Sequence, residues 1–174
     1  MQELSYNSKL ILGIDHGYGN MKTAHRVFPA SVEPEVQLGA VSLEYKGKEY
    51  GIGGGHKEFQ VEKTHDDDYW ILTLAAIAEE LKFRGKNEAT IHLAVGVPLF
   101  WVKEQKESFR EYLLREKEVD FHYNGERYHV NIADATVHPQ GYAAYITQEG
   151  NIQGNTVLAD IGNGTMNVAF MQNG

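Results

Sequence analysis

Apolar residues fall along this chain in short runs punctuated by glycine and proline at first, and in helix-spaced stretches further on. Leu10 to Asp15 and Met21 to Phe28 lie on either side of Gly17-Tyr18-Gly19-Asn20. Such a turn supplies the positive-φ positions of a tight reversal, so the pattern predicts a hairpin, with Pro29 ending the pairing. Val41 to Tyr45 and Glu49 to Ile52 alternate about Lys46-Gly47-Lys48 and predict a second hairpin, polar on one face. Gly51 to Gly55 reads as a loop. Trp70, Leu74, Ile77 and Leu81 recur at helical spacing within Tyr69 to Phe83, with Asp66-Asp67-Asp68 ahead and Gly85 beyond. That is a helix with a charged start and a glycine stop, the aspartates serving capping and solvation.

Ala89 to Val97 is a nearly continuous apolar run closed by Pro98, which predicts a strand buried on both faces. Val102 to Glu116 reads as a charged amphipathic helix whose apolar side is Phe109, Tyr112 and Leu113. Val119 to Tyr123 and Arg127 to Val137 flank Asn124-Gly125, the strongest short hairpin signal in the chain. Pro139 suits the first turn of a helix running to about Gly150. Strands and helices thus alternate after an opening set of hairpins, which implies an α/β domain with a mixed sheet and flanking helices.

One stretch occurs twice. Asp15-His16-Gly17-Tyr18-Gly19-Asn20-Met21-Lys22 and Asp160-Ile161-Gly162-Asn163-Gly164-Thr165-Met166-Asn167 share Asp, Gly, Gly and Met at one spacing, each between apolar runs. Both read as strand, glycine turn, strand.

Composition narrows what these turns can do. The 174 residues, 42% hydrophobic, form one globular domain's worth of chain, and a net charge of −8 with scattered Lys and Arg gives no basic face for direct nucleic-acid contact. With no cysteine there is no disulfide and no thiolate chemistry. No signal pattern and no membrane-length apolar run are present, so the expectation is a soluble, cytoplasmic protein with no membrane contact. The eight histidines lack helical metal-ligand spacing, and His122 and His129 flank the Asn-Gly turn as possible cross-strand neighbours. His16, inside the first glycine turn, reads as a hydrogen-bonded turn residue. Gly53-Gly54-Gly55 reads as a surface loop.

A glycine turn between strands directs backbone N–H groups into one concavity, a nest that suits phosphate oxygens. Lys22, just past the first turn, can reach a phosphate. Asp15 and Asp160, each ending its first strand, can face one another across a cleft and hold a hydrated Mg²⁺, which takes few carboxylates. Neither turn contains Gly-Lys-Ser/Thr, and Gly17-x-Gly19 leads into a strand without a third glycine, so P-loop and Rossmann readings fit poorly.

The paired turns resemble the first and second phosphate loops of the actin, Hsp70 and sugar-kinase superfamily. With Val97-Pro98-Leu99, Asn124-Gly125 and His138-Pro139-Gln140-Gly141 in order, the chain is similar to bacterial plasmid-segregation (ParM-like) actin-like proteins over nearly all of residues 10 to 172. The resemblance implies a ribonuclease H-like actin-fold domain, with a mixed five-stranded sheet, over residues 1–154. It implies a small inserted subdomain around 40–66, and over 155–174 the first hairpin of a second such domain. It also implies an ATPase that binds ATP or ADP with Mg²⁺, forms filaments, and works with a DNA-binding adaptor.

Residue by residue, it implies that backbone amides of Tyr18, Gly19 and Asn20 contact the β-phosphate side and Lys22 the phosphates, with Asp15 and Gly17 also in the nucleotide site. Gly162, Asn163, Gly164 and Thr165 would embrace the γ-phosphate, and Asp15 and Asp160 would hold the metal shell. Gln140, at the start of the connecting helix, and Asp160 would serve the attacking water. Asn163 and Asn167 depart from the commoner residues of that second loop. Members of this superfamily are about twice as long. The chain alone is therefore expected to bind ATP weakly or not at all, and to associate through the hairpin Val157 to Met171. A sugar- or acyl-kinase-like phosphotransferase fragment and a non-catalytic binding fragment remain alternatives.

Overall fold

The computed structural model describes residues 5–38, 40–55, 64, 66–148, 154–162 and 166–172. Ten of its strands share one sheet: β1 (Ser5–Tyr6), β2 (Lys9–His16), β3 (Asn20–Thr23), β4 (Val27–Pro29), β5 (Val32–Glu33), β6 (Val41–Tyr45), β7 (Lys48–Ile52), β8 (Glu88–Val97), β9 (Glu118–Tyr123) and β10 (Glu126–Pro139). The order across it is β4-β3-β2-β8-β10-β9-β6-β7-β5, with β1 paired to the start of β2. The meander β2-β3-β4 is antiparallel, while β8 runs parallel to both β2 and β10. These five strands are the mixed five-stranded sheet expected, and β9, β6, β7 and β5 extend it.

Helices α1 (Asp68–Phe83) and α2 (Val102–Leu113) share one face of the sheet, and α3 (Tyr142–Gln148) follows β10. The core lies between that face and α1, where Leu10, Leu12 and Ile14 of β2 and Ile91, Leu93 and Val95 of β8 meet Trp70, Leu74, Ile77 and Leu81. Tyr69 to Ala78 are all buried, because α1 is enclosed on more than one side. Its first-turn amides lack intrahelical partners. The Tyr112 hydroxyl accepts from Trp70 N at 2.7 Å and donates to Asp66 O at 2.9 Å, while Asp66 Oδ1 accepts from Asp68 N at 3.0 Å. Gly85, at φ 65°, stops the helix as expected, and Lys86 N reaches back to Leu81 O.

The strand 21 to 28 expected from the sequence is two strands. Thr23 N donates to Arg26 O at 2.8 Å and Arg26 N to Thr23 Oγ1 at 3.0 Å, which closes a turn between β3 and β4. Pro29 belongs to β4, paired with Asn20, instead of ending the pairing. β8 alternates between buried and partly exposed residues, because α1 and α2 cover one of its faces fully. α2 is shorter than expected and is preceded by a 3-10 turn, Leu99–Trp101. Pro139 ends β10, and the helix starts only at Tyr142 because Gly141, at φ 82°, reverses the chain between them. Asn124 and Gly125, at φ 50° and 77°, form the expected two-residue hairpin turn.

β11 (Thr156–Ile161) and β12 (Met166–Met171) pair antiparallel as a separate two-stranded sheet. Among the described residues no helix is long and apolar enough to cross a membrane.

Candidate functional site: a cavity beside the first glycine turn

β2 and β3 pair in the register Asp15 to Lys22 and His16 to Met21, so the first glycine turn is the short link between paired ends. Alternation along β2 sends His16 into the core and Asp15 to the opposite face. A Cβ on Gly17 would sit 2.5 Å from Asn20 O, which only glycine avoids. Gly19 O accepts from Ala30 N at 3.0 Å, tying the turn to the end of β4. Tyr18 is buried, and burial raises the pKa of its hydroxyl.

On the cavity side, Lys22 Nζ lies 3.2 Å from Asp15 Oδ2. Gln140 Nε2 donates to Asp15 Oδ1 at 3.0 Å, bridging 125 positions of sequence. Two glycines allow that bridge. A Cβ on Gly96 would lie 2.9 Å from Gln140 Cγ, and one on Gly141 would lie 3.0 Å from Leu158 Cδ2 and 3.5 Å from Asp160 Cβ. Gly141 therefore brings the second hairpin against the turn that carries Gln140. Gln140 sits in that turn, ahead of α3 and not in its first turn.

Asp160 is opposite Asn167 and Ile161 opposite Met166 in the second hairpin. A cavity of about 200 Å³ lies between the first glycine turn and the end of β11. Asp15, Gly17, Tyr18, Gly19, Asn20 and Lys22 line one side, and Gln140, Asp160, Ile161 and Gly162 the other. Nine of the twelve residues singled out in the sequence line it, Ile161 is added, and Asn163, Gly164 and Thr165 lie outside the described residues. An apolar hollow of about 610 Å³ adjoins it along Gly13, Ala94 and Gly96, beside Tyr142 and Ile146 of α3.

Chemically, the cavity combines the first glycine turn and Gly162, just beyond β11, with two carboxylates, one ammonium and one carboxamide. A glycine turn and a lysine suit phosphate oxygens, and two carboxylates suit Mg²⁺, which keeps most of its ligands as water. The donor set therefore fits a metal-bound polyphosphate. No group of three or more His, Asp or Glu side chains placed to hold a metal occurs among the described residues. His129 pairs with Asp120 and His122 with Glu44, so the two are not directly opposed.

Sequence reasoning missed Gly96 and gave Gly141 no role beyond its place in the His138-Pro139-Gln140-Gly141 motif. The signal for Gly96 was available, since an isolated glycine within an apolar strand marks a close approach.

A family model described as actin like proteins, N terminal domain, matches residues 13–142. Among solved structures, the AlfA filament bound to AMPPNP is 21% identical, with a TM-score of 0.74 over 95% of this chain and 66% of that one. AlfA from the B. subtilis plasmid pLS32, a filament structure, is 17% identical, with a TM-score of 0.66 over 94% of this chain and 72% of that one. Ta0583, an archaeal actin homolog in complex with ADP, is 22% identical, with a TM-score of 0.73 over 93% of this chain and 55% of that one. At these identities the likeness is one of fold. The chain spans 66% of the first relative's length and 55% of the third's. Among curated proteins none matches the sequence.

Proposed function

The chain belongs to the family of actin-like proteins, of which it carries the N-terminal domain, and on that premise we propose that its cavity binds the phosphates of ATP or ADP with Mg²⁺. The observation that carries this reading is the convergence of the first glycine turn, Asp15, Lys22, Gln140, Asp160 and Gly162 on one cavity from positions far apart in sequence. It is supported by relatives of the same fold solved with AMPPNP and ADP.

Backbone groups of Gly17 to Asn20 cradle the β-phosphate side, and Lys22 supplies the counter-charge. Gly162, Asn163, Gly164 and Thr165 take the γ-phosphate side. Asp15 and Asp160 hold the metal's water shell, where bound Mg²⁺ would neutralise phosphate charge. Gln140, already aimed at Asp15, orients a water for in-line attack, and Asp160 lies beside it. In this reading the full-length protein is an ATPase that assembles into filaments and moves plasmid DNA through an adaptor. The filament state of the AlfA relatives supports the self-association.

Magnesium pyrophosphate titrated into the isotope-labelled chain tests the site. Amide shifts are expected at Gly17 to Asn20, Lys22 and Gly162, and are expected to vanish in Lys22→Met. Shifts elsewhere, or none at millimolar concentration, overturn the reading.

A further inference from the structure

We propose that His16 and Thr73 form a buried clamp through which helix α1 sets the position of the first glycine turn, which makes both of them positioning residues for phosphate binding. The proposal rests on reading the cavity as a phosphate site. Both side chains are fully buried, and His16 Nε2 lies 2.8 Å from Thr73 Oγ1. The Thr73 hydroxyl has one proton, and it is directed to Tyr69 O one helical turn back, at 2.5 Å. Toward His16 the hydroxyl oxygen is therefore the acceptor, so Nε2 carries the hydrogen. The direction of the bond follows from the helix backbone and not from the histidine.

The ring is held from other sides as well. Phe109 of α2 meets it edge-on with centroids 5.2 Å apart at 87°, and Tyr69 lies tilted at 6.0 Å. His16 is also the last residue of β2 and is followed directly by Gly17. Its strand partner Met21 is fully buried, so the four-residue turn springs from two fixed points. An aliphatic residue at position 16 would fill similar space but fix no direction, because burial is non-directional whereas a hydrogen bond is not. Asp15 lies one residue earlier on the cavity face. Any displacement of α1 along its axis is thus passed to the turn and to Asp15 together.

Amide hydrogen exchange on the nucleotide-free full chain tests the clamp, with β8 as internal reference. Thr73→Val and His16→Leu are expected to speed exchange in the 17–20 turn by about tenfold while β8 protection stays unchanged. Thr73→Ser, and His16→Gln, whose amide nitrogen can stand in for Nε2, are expected to restore it. Magnesium pyrophosphate affinity should fall and recover in the same variants. Unchanged turn exchange in Thr73→Val, or a loss spread equally over β8, overturns the clamp. If the wild-type chain binds no pyrophosphate, the phosphate reading fails and the exchange comparison still decides the clamp. Should the Val and Leu variants not fold, ¹⁵N shifts of His16 in the wild-type chain decide. A proton on Nε2 is expected, and a neutral ring protonated on Nδ1 overturns it.

Discussion

Asp15 and Lys22 stand opposite one another on β2 and β3, and their side chains meet at 3.2 Å in the lining of the cavity beside the first glycine turn. Each is about half exposed, so the pair contributes at most about 1 kcal/mol to stability. A phosphate can draw Lys22 away at small cost. Lys22→Met is therefore expected to leave thermal unfolding within about 0.5 kcal/mol of wild type while weakening pyrophosphate binding at least about tenfold. Calorimetry paired with a shift titration checks both, and a large loss of stability would show that the lysine is structural.

Gly96 lets Gln140 close on Asp15. In Gly96→Ala the added carbon would stand 2.9 Å from Gln140 Cγ, so the carboxamide must leave its place. The fold is expected to lose no more than about 1–3 kcal/mol, the usual cost of one excess methyl group. The resonance of the Gln140 side-chain amide is expected to move toward its solvent-exposed position. In a nucleotide-hydrolysing form, kcat is expected to fall with KM nearly unchanged if Gln140 has the proposed role of orienting the water and not the phosphates. An unmoved Gln140 amide contradicts this.

Glu80 is 1% exposed, yet its surroundings favour the charged carboxylate. Burial works against ionisation, but hydrogen bonds from Thr23, Arg84 and His25 overcome it and bring its pKa to about 2, against 4.5 ordinarily. His25 N and Nδ1 both donate at 2.9 Å to this carboxylate, which fastens the turn between β3 and β4 to α1. A depressed carboxylate pKa stabilises the fold above about pH 4.5, and that contribution is lost as pH falls toward about 2. Denaturant unfolding is expected to show stability declining over that window, and Glu80→Gln is expected to flatten the decline. Glu80→Ala, which strands Arg84, is expected to cost about 3–5 kcal/mol at neutral pH.

What the sequence displayed and what it hid follow from locality. Asn124-Gly125, the α1 periodicity and the Gly85 stop are signals within one element, and each appears where expected. The break after Thr23 depends on Glu80, 57 positions away, and no local pattern carries it. Pro139 misled because its fixed φ suits a strand end as well as a helix start, and Gly141 made the choice. Most members of the cavity were legible because the turn repeats, and Gln140 through the resemblance alone. The Gln140 to Asp15 bond was not, because it joins positions 125 apart, and a glycine such as Gly96 marks a close approach without naming what approaches.

The second hairpin carries the last expectation. Its pairs Val157 with Phe170, Ala159 with Val168, and Ile161 with Met166 place six apolar residues on one face. The five larger ones are 52–78% exposed, while the opposite face, with Leu158 and Asp160, turns toward Gly141. A contiguous apolar face on a two-stranded sheet is neither stable alone nor inert, because it also leaves unpaired strand edges. The chain is expected to associate through this face, giving a dimer or larger species by light scattering at micromolar concentration. Val168→Lys, central in the face and with its backbone unchanged, is expected to return it to a monomer without altering the amide shifts of β2 or β8. A wild-type chain that scatters as a clean monomer would refute association through this hairpin, and a Val168→Lys chain that stays associated would place the contact elsewhere.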